Sequence, residues 1–174
     1  MRIIKVNNRS GAGGKILQVK YTQLITADTV GTTANQDTII TGMEVNITPI
    51  FANSVIKVES VLMGEHSNVG CSANGMFFFY RGSTLLKPDA AGSRRIGIAS
   101  YNDCYAGSDS GSTPDSTNVI YFDNTHNTTS QITYKLGLNT LYTGTYYLNR
   151  TVSDTNTNEY ERGMSFISAT EIAP

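Results

Sequence analysis

The sequence predicts an all-β fold: an antiparallel β-sandwich or jelly-roll-like domain behind a short N-terminal arm. Three observations carry this expectation. Charged residues make up only 16% of the chain, against ~25% in typical soluble proteins, while 22 Thr, 16 Ser and 15 Asn supply 53 of the 174 residues. Thr suits a pleated strand, and Asn and Ser suit turns. Short runs also alternate apolar and polar side chains between turn signals, and no segment repeats its apolar residues at helical spacing. The chain is long enough for one domain with a sizeable core.

The elements follow in order. Lys15 to Thr22 opens the domain. Met43-Glu44-Val45-Asn46-Ile47-Thr48 alternates over six residues and stops at Pro49. After a turn at Asn53-Ser54, Val55 to Met63 places Ile56, Val58, Ser60 and Leu62 on one face, with Lys57 and Glu59 on the other. Met76 to Arg81 contains Phe77, Phe78 and Phe79 in a row, so it is expected to be covered on both faces. The turn Arg81-Gly82-Ser83-Thr84 leads into Leu85 and Leu86 as a hairpin. Arg95 to Tyr101 forms the next strand and Val119 to Asp123 another. Ile132, Tyr134, Leu136 and Leu138 alternate with polar neighbours, Thr145 to Asn149 is short, and Met164 to Ile172 closes the sheet. The total is eight to ten strands, the spacing of a sandwich or jelly roll.

Charge divides the chain. Residues 1–27 hold Arg2, Lys5, Arg9, Lys15 and Lys20 and no acid, so the net charge of −1 conceals +5 against −6. Gly11, Gly13 and Gly14 form a flexible joint. The expected organisation is an arm at 1–14 and a β-sandwich domain at 15–174. Arg2, Ile3, Ile4, Lys5, Val6 and Arg9 suit a docking arm that adds a strand to a partner; they suit a frayed terminus or an ordinary first strand equally.

Composition excludes several functions. A net charge of −1 does not fit nucleic-acid binding by bulk charge. No apolar run approaches the ~20 residues of a membrane span, so membrane insertion is not expected. The start of the chain shows no signal-peptide pattern, which points to synthesis in a cytosol. Cys71 and Cys104 are too few for a disulfide framework. Sequons at Asn8, Asn46, Asn127 and Asn149 are those that chance supplies in so Asn- and Thr-rich a chain.

Chemistry is sparse. His66 and His126 lack neighbours at metal-ligand spacing, and nucleophile elbows, phosphate loops and zinc-protease motifs are missing. No cofactor, metal site or catalytic residue is expected. Asp103 and Asp109 offer at most a weak calcium loop. Arg94-Arg95 reads as a solvent-facing pair at a strand start. Glu171 sits among apolar residues and must pair or face water, so a salt bridge at a sandwich end or subunit interface is expected. Phe77, Phe79, Tyr134 and Phe166 are expected in the core.

Three long polar stretches stand out, 64–75, 102–118 and 151–162. Loops of this length are commonly functional or disordered, and Tyr, Ser, Gly and Asn are the residues that binding loops favour. The candidate recognition loop comprises Tyr101, Asn102, Asp103, Tyr105, Asp109 and Asp115.

An ordered set of phrases adds a resemblance. Gly14-Lys15-Ile16-Leu17-Gln18-Val19 is followed by Thr41-Gly42-Met43-Glu44-Val45-Asn46-Ile47-Thr48-Pro49, then Ser54-Val55-Ile56-Lys57-Val58, Tyr80-Arg81-Gly82-Ser83-Thr84, Tyr134-Lys135-Leu136, Tyr147-Leu148-Asn149-Arg150 and Glu171-Ile172-Ala173-Pro174. In this order, over residues 14–174, the chain resembles small β-sandwich virion modules of tailed bacteriophages, including phages of cyanobacteria. The resemblance implies a non-enzymatic virion structural protein made in the bacterial cytoplasm. Its expected form is a short homotrimeric tail fibre or receptor-binding protein, docked on other virion proteins by its arm and presenting loops to a host-surface glycan or protein. The chain departs from the family in lacking a long stalk and in the length of its 102–118 loop. A capsid decoration (cement) protein or baseplate adaptor is the alternative, and a carbohydrate-active enzyme on a jelly roll is a remote one.

Overall fold

The computed structural model describes residues 14–67, 75–101 and 111–174. In these, eleven strands run in chain order: β1 (Ile16–Leu24), β2 (Asp28–Thr32), β3 (Asp37–Ile47), β4 (Val55–His66), β5 (Gly75–Arg81), β6 (Thr84–Leu86), β7 (Ala99–Tyr101), β8 (Asp115–Asp123), β9 (Ile132–Asn139), β10 (Gly144–Leu148) and β11 (Ser165–Ile172). All pairings are antiparallel.

The strands form two sheets. In the first, β4 pairs with β8 along one side, from Ile56 to Gly64. On its other side β4 pairs first with β11, over Val55 to Val61, and then with β10, over Gly64 to His66. β1 completes the sheet beyond β11, and β2 completes it beyond β10. The second sheet runs β3-β9-β5, with β7 and β6 sharing the far side of β5. Among the described residues no helix is long and apolar enough to cross a membrane.

The core lies between the sheets and follows the alternation. Ile56, Val58 and Leu62 of β4 face Phe77, Phe79, Tyr134, Leu136 and Leu138, all fully buried. Each such side chain contributes roughly 1.5–3 kcal/mol relative to exposure. Phe78 points away from this core yet is also buried. Gly137, beside it on β9, has no Cβ to obstruct the Phe78 ring, and Lys87 lies 5.1 Å above the ring centroid. The expectation that β5 is covered on both faces therefore holds.

Several boundaries differ from the sequence reading. β3 starts at Asp37, six residues before the alternation becomes visible, because a bulge between Ile39 and Glu44 breaks the period. Gly42, at φ +81°, makes that bulge, and it puts both Ile40 and Met43 into the core. β2 went unread because Val30 is its single large apolar residue. β8 begins at Asp115, since Ser116, Thr117 and Asn118 extend the strand without apolar alternation. The strand expected at Arg95 to Tyr101 is confined to Ala99–Tyr101: β5 offers β7 only Gly75 to Phe77, and β6 takes Phe79 to Arg81. Phe166 belongs outside the core. It pairs with Val61 on the outer face of the first sheet and is half-buried there.

Candidate functional site at the loop end

The register gives the sandwich two distinct ends. Val55 lies level with Ile172, which pairs with Ile16. At the opposite end of β4, Gly64 lies level with Asp115 and His66 with Tyr146. Gly14 N donates to Ala173 O, so the root of the arm is at the first end. Ser67, Gly75, Tyr101, Thr113 and Val152, described residues in or beside the three polar stretches, lie towards the second. At ~3.3 Å per residue the two ends are roughly 30 Å apart.

The arm end is closed by two buried polar clusters. In one, Asp123 of β8 is reached across the sandwich by Arg81 Nη1, 2.8 Å from both carboxylate oxygens, and by Tyr134 Oη at 2.7 Å. Burial alone raises the Asp123 pKa, but hydrogen bonds from the Thr125 backbone, Tyr134, Arg81 and the Thr125 hydroxyl outweigh it and hold the carboxyl below its ordinary value. In the other cluster, Glu171 is buried with no cation in ion-pair distance among the described residues. It accepts from Gln18 Nε2 (2.7 Å), Ile50 N (2.8 Å), Phe51 N (3.1 Å) and Ser54 Oγ (2.8 Å). Burial again raises its pKa, and these four donors outweigh it, so the net shift is downward. The expected salt bridge is thus replaced by a set of hydrogen bonds at the sandwich end.

Ser54, His126 and Glu171 lie together, but in an order that does not activate a nucleophile. A triad needs the carboxylate behind the histidine and the histidine accepting the serine proton. Here the carboxylate contacts Ser54 Oγ itself, His126 Nε2 lies 2.9 Å from the Ser54 carbonyl oxygen, and Ser54 is fully buried. The group acts as a latch between the 48–54 turn and the 124–130 turn.

The loop end is organised by the last two residues of β4. His66 points inward. Thr32 Oγ1 donates to the Gly144 carbonyl at 3.2 Å, which leaves its oxygen to accept from His66 Nε2 at 2.8 Å. Burial holds the His66 pKa below its ordinary value. Glu65 points the other way and is fully buried under the loops. Its Oε1 accepts from Thr113 Oγ1 (2.7 Å) and Thr113 N (3.2 Å), and its Oε2 accepts from Val152 N (2.8 Å). One carboxylate therefore pins the second and third long loops to the same strand end.

These loops also bind each other. Ser112 Oγ donates to the Glu159 carbonyl at 2.7 Å, and Ser153 N to the Gly111 carbonyl at 2.9 Å. Within the third loop, Asp154 lies 3.2 Å from Arg150 Nη1 and 2.5 Å from Arg162 Nη2, and Arg150 stacks 4.7 Å from the Tyr147 ring centroid. A small polar cavity of about 320 Å³ opens among Asp154, Thr157, Tyr160 and Arg162. The result is a polar surface whose described side chains are tied to one another by hydrogen bonds and ion pairs.

Of the candidate recognition residues, Asp115 is placed at the exposed start of β8, and the Tyr101 backbone ends β7 opposite Gly75. Asn102, Asp103, Tyr105 and Asp109 lie outside the described residues, as do the arm residues Arg2, Ile3, Ile4, Lys5, Val6 and Arg9, and also Cys71 and Cys104. Among the described residues, no group of three His, Cys, Asp or Glu is placed to hold a metal ion. Sequence reasoning missed Glu65 because a Gly-Glu-His run gives no hint that loops will cover it. The sequon at Asn149 is closed to modification: the side chain is 1% exposed and bonded to Leu24 O, Thr26 O and Ser165 Oγ.

Comparison with protein-family models gives no match, and no curated protein matches. Among solved structures, the chain is similar to chains of infectious bursal disease virus. For the Gt strain structure, identity is 13% and the TM-score 0.42, covering 100% of this chain and 47% of that one. For the T13 viral particle the values are 14% and 0.46, covering 100% and 44%. For the VP2 subviral particle they are 14% and 0.39, covering 100% and 46%. This chain spans less than half the length of each of these three chains.

Proposed function

We propose that this protein is a virion structural protein, a short homotrimeric appendage that attaches a bacteriophage to its host without enzymatic action. The observation that carries this reading is the polarity of the sandwich. Gly14, where the proposed arm joins, and the described residues in or beside the polar stretches, Ser67, Gly75, Tyr101, Thr113 and Val152, sit at opposite ends of β4, roughly 30 Å apart. An attachment protein needs this separation, with one end docked on the particle and the other facing the host. The resemblance of the ordered sequence phrases to phage β-sandwich modules points the same way.

A second feature supports assembly. The outer face of the first sheet carries a band across β8, β4, β11 and β1. Ile120 and Phe122 are 47% and 57% exposed, and Val19 and Tyr21 are 52% and 73% exposed. Lys57, Glu59, Ser168 and Thr170 lie between these pairs, with Lys57 and Glu59 ion-paired, and Val61 and Phe166 form the next row along. Several large apolar side chains exposed on one sheet face suit a contact with another protein surface. Further copies of the chain are its proposed occupants, with the band repeated around the trimer axis.

The test is electron microscopy of particles with labelled protein, together with adsorption assays. A few copies at the tail, a trimer by light scattering and binding of purified protein to host cells are expected. Hundreds of copies over the capsid would make it a decoration protein instead. Adsorption that is normal in particles lacking the protein overturns the attachment role.

A further inference from the structure

The pair Arg94-Arg95, which has no part in the reading above, lies in the wall of a second cavity at the loop end. The cavity holds about 570 Å³ and is lined chiefly by Asn35, Asp37, Lys87, Arg94, Arg95 and Asn139. That volume is within the ~300–1,000 Å³ of small-ligand sites. Asp37 and Asn139 are register partners at one end of the β3–β9 pair, the end towards which Gly75 and Tyr101 also lie.

The lining is held by its own hydrogen bonds. Arg95 Nε donates to Asn139 Oδ1 (2.9 Å) and its Nη2 to Asn35 Oδ1 (2.8 Å). Asn139 Nδ2 donates to Asp37 Oδ1 (2.7 Å), and Lys87 Nζ lies 3.1 Å from Asp37 Oδ2. Asn35 keeps its place through a left-handed backbone, φ +58°, and a bond from its N–H to the Thr140 carbonyl. Five side chains thus form one chain of contacts, which fixes their geometry before any ligand arrives. Arg94 differs from them. It is exposed, its guanidinium bonds only the Ala91 carbonyl (3.2 Å), and among the described residues no carboxylate is within ion-pair distance of it.

Lys87 is paired with Asp37, and Arg94 has no carboxylate within ion-pair distance among the described residues, so the lining presents a positive charge to a ligand. The remaining polar lining, Asn35, Gln36, Ser93 and Asn139, offers uncharged hydrogen-bonding groups. Among the described lining residues no aromatic side chain offers a neutral sugar a platform to stack on. Isolated carboxylates on a hydroxyl-rich chain match both the charge and the amides.

We propose that this cavity binds an acidic saccharide, with a uronate-type carboxylate on Arg94 and the hydroxyls on Asn35, Asn139 and Asp37. The proposal rests on the host-attachment reading for its biological setting, and names the class of receptor that reading leaves open. A guanidinium suits the role because it pairs with carboxylates through parallel N–H bonds.

The experiment is a calorimetric and NMR titration of the full chain with trigalacturonate, with the neutral trisaccharide of the same linkage, and with inorganic phosphate. Trigalacturonate is expected to bind, to shift the amides of Asn35, Arg94 and Asn139, and to weaken as salt rises. Arg94→Ala is expected to weaken it about ten-fold or more, and Arg94→Lys less. Equal binding of the neutral sugar overturns the proposal, as does an unchanged affinity in Arg94→Ala. Phosphate binding as tight as trigalacturonate overturns it too, since the cavity would then read the anion alone. Failure of trigalacturonate to bind with particle adsorption intact refutes the cavity and spares the attachment role. Trigalacturonate binding by the chain, with normal adsorption of particles lacking it, refutes the attachment role and spares the cavity.

Discussion

Arg81, at the end of β5 in one sheet, places Nη1 2.8 Å from both carboxylate oxygens of Asp123, at the end of β8 in the other. Asp123 is fully buried and Arg81 largely so. The pair ties the sheets together where the apolar core ends. Removing the cation leaves a buried carboxylate short of its partner, which is costlier than removing both charges. Arg81→Met is expected to lower the unfolding free energy by about 3 kcal/mol. Arg81→Met with Asp123→Leu is expected to recover a large part of the loss, and Tyr134→Phe to cost about 1 kcal/mol. Urea unfolding of the three variants checks this order.

Acid is expected to weaken the fold in two stages. Burial holds the folded His66 below its ordinary pKa, so the unfolded chain takes up the proton first. Stability therefore falls as pH drops below about 6.5. Asp123 and Glu171 are also depressed in the folded state. Their contributions are complete above the unfolded carboxylate values of about 4 and are lost as pH falls through the lower folded ones. His66→Gln is expected to flatten the stability profile in the first window, and Glu171→Gln in the second. Thermal melts between neutral and strongly acid pH test both slopes.

Asn149 joins three elements. Its Nδ2 donates to Leu24 O (2.8 Å) and Thr26 O (2.9 Å), its Oδ1 accepts from Ser165 Oγ (2.6 Å), and its φ is +59°. Asn149→Gly keeps the backbone and loses the side-chain bonds. Asn149→Ala loses both and is expected to be the less stable by about 1 kcal/mol. Equal stabilities would show that the left-handed backbone costs alanine nothing at this turn.

Glu65 is expected to govern loop order more than global stability. Glu65→Gln removes the acceptor facing either Val152 N or Thr113. Amide exchange at Thr113 and Val152 is expected to quicken about ten-fold, while exchange in the β4–β11 pairing stays close to that of the parent. Hydrogen exchange by NMR measures both in one sample.

Much of the architecture was legible along the chain. Alternation identified β4, β9 and the later half of β3, because a half-buried strand must show period two. The same rule failed where the period breaks, at the Gly42 bulge, and where an inward position is polar, at Thr117. Phe166 was misread because an aromatic in the last strand looks like core until its register with Val61 places it outside. Of the expected polar loops, 64–66 belong to β4 and 115–118 to β8, while 68–74 and 102–110 lie outside the described residues; the sequence gave no sign that Glu65 bonds both Thr113 and Val152 or that Asn35, Arg95 and Asn139 meet.

By itself, the sequence determined the fold class, several of the strands and the division of charge between residues 1–27 and the rest. These depend on local composition and on side-chain period, which each segment carries within itself. Only the tertiary structure decided which residues meet across the sandwich. It put Asp123 on Arg81, Glu171 on a turn over a hundred residues away, Gly14 at the end opposite Thr113 and Val152, and Arg94-Arg95 in a cavity. Such meetings depend on register and sheet order, which are set by the whole core packing at once.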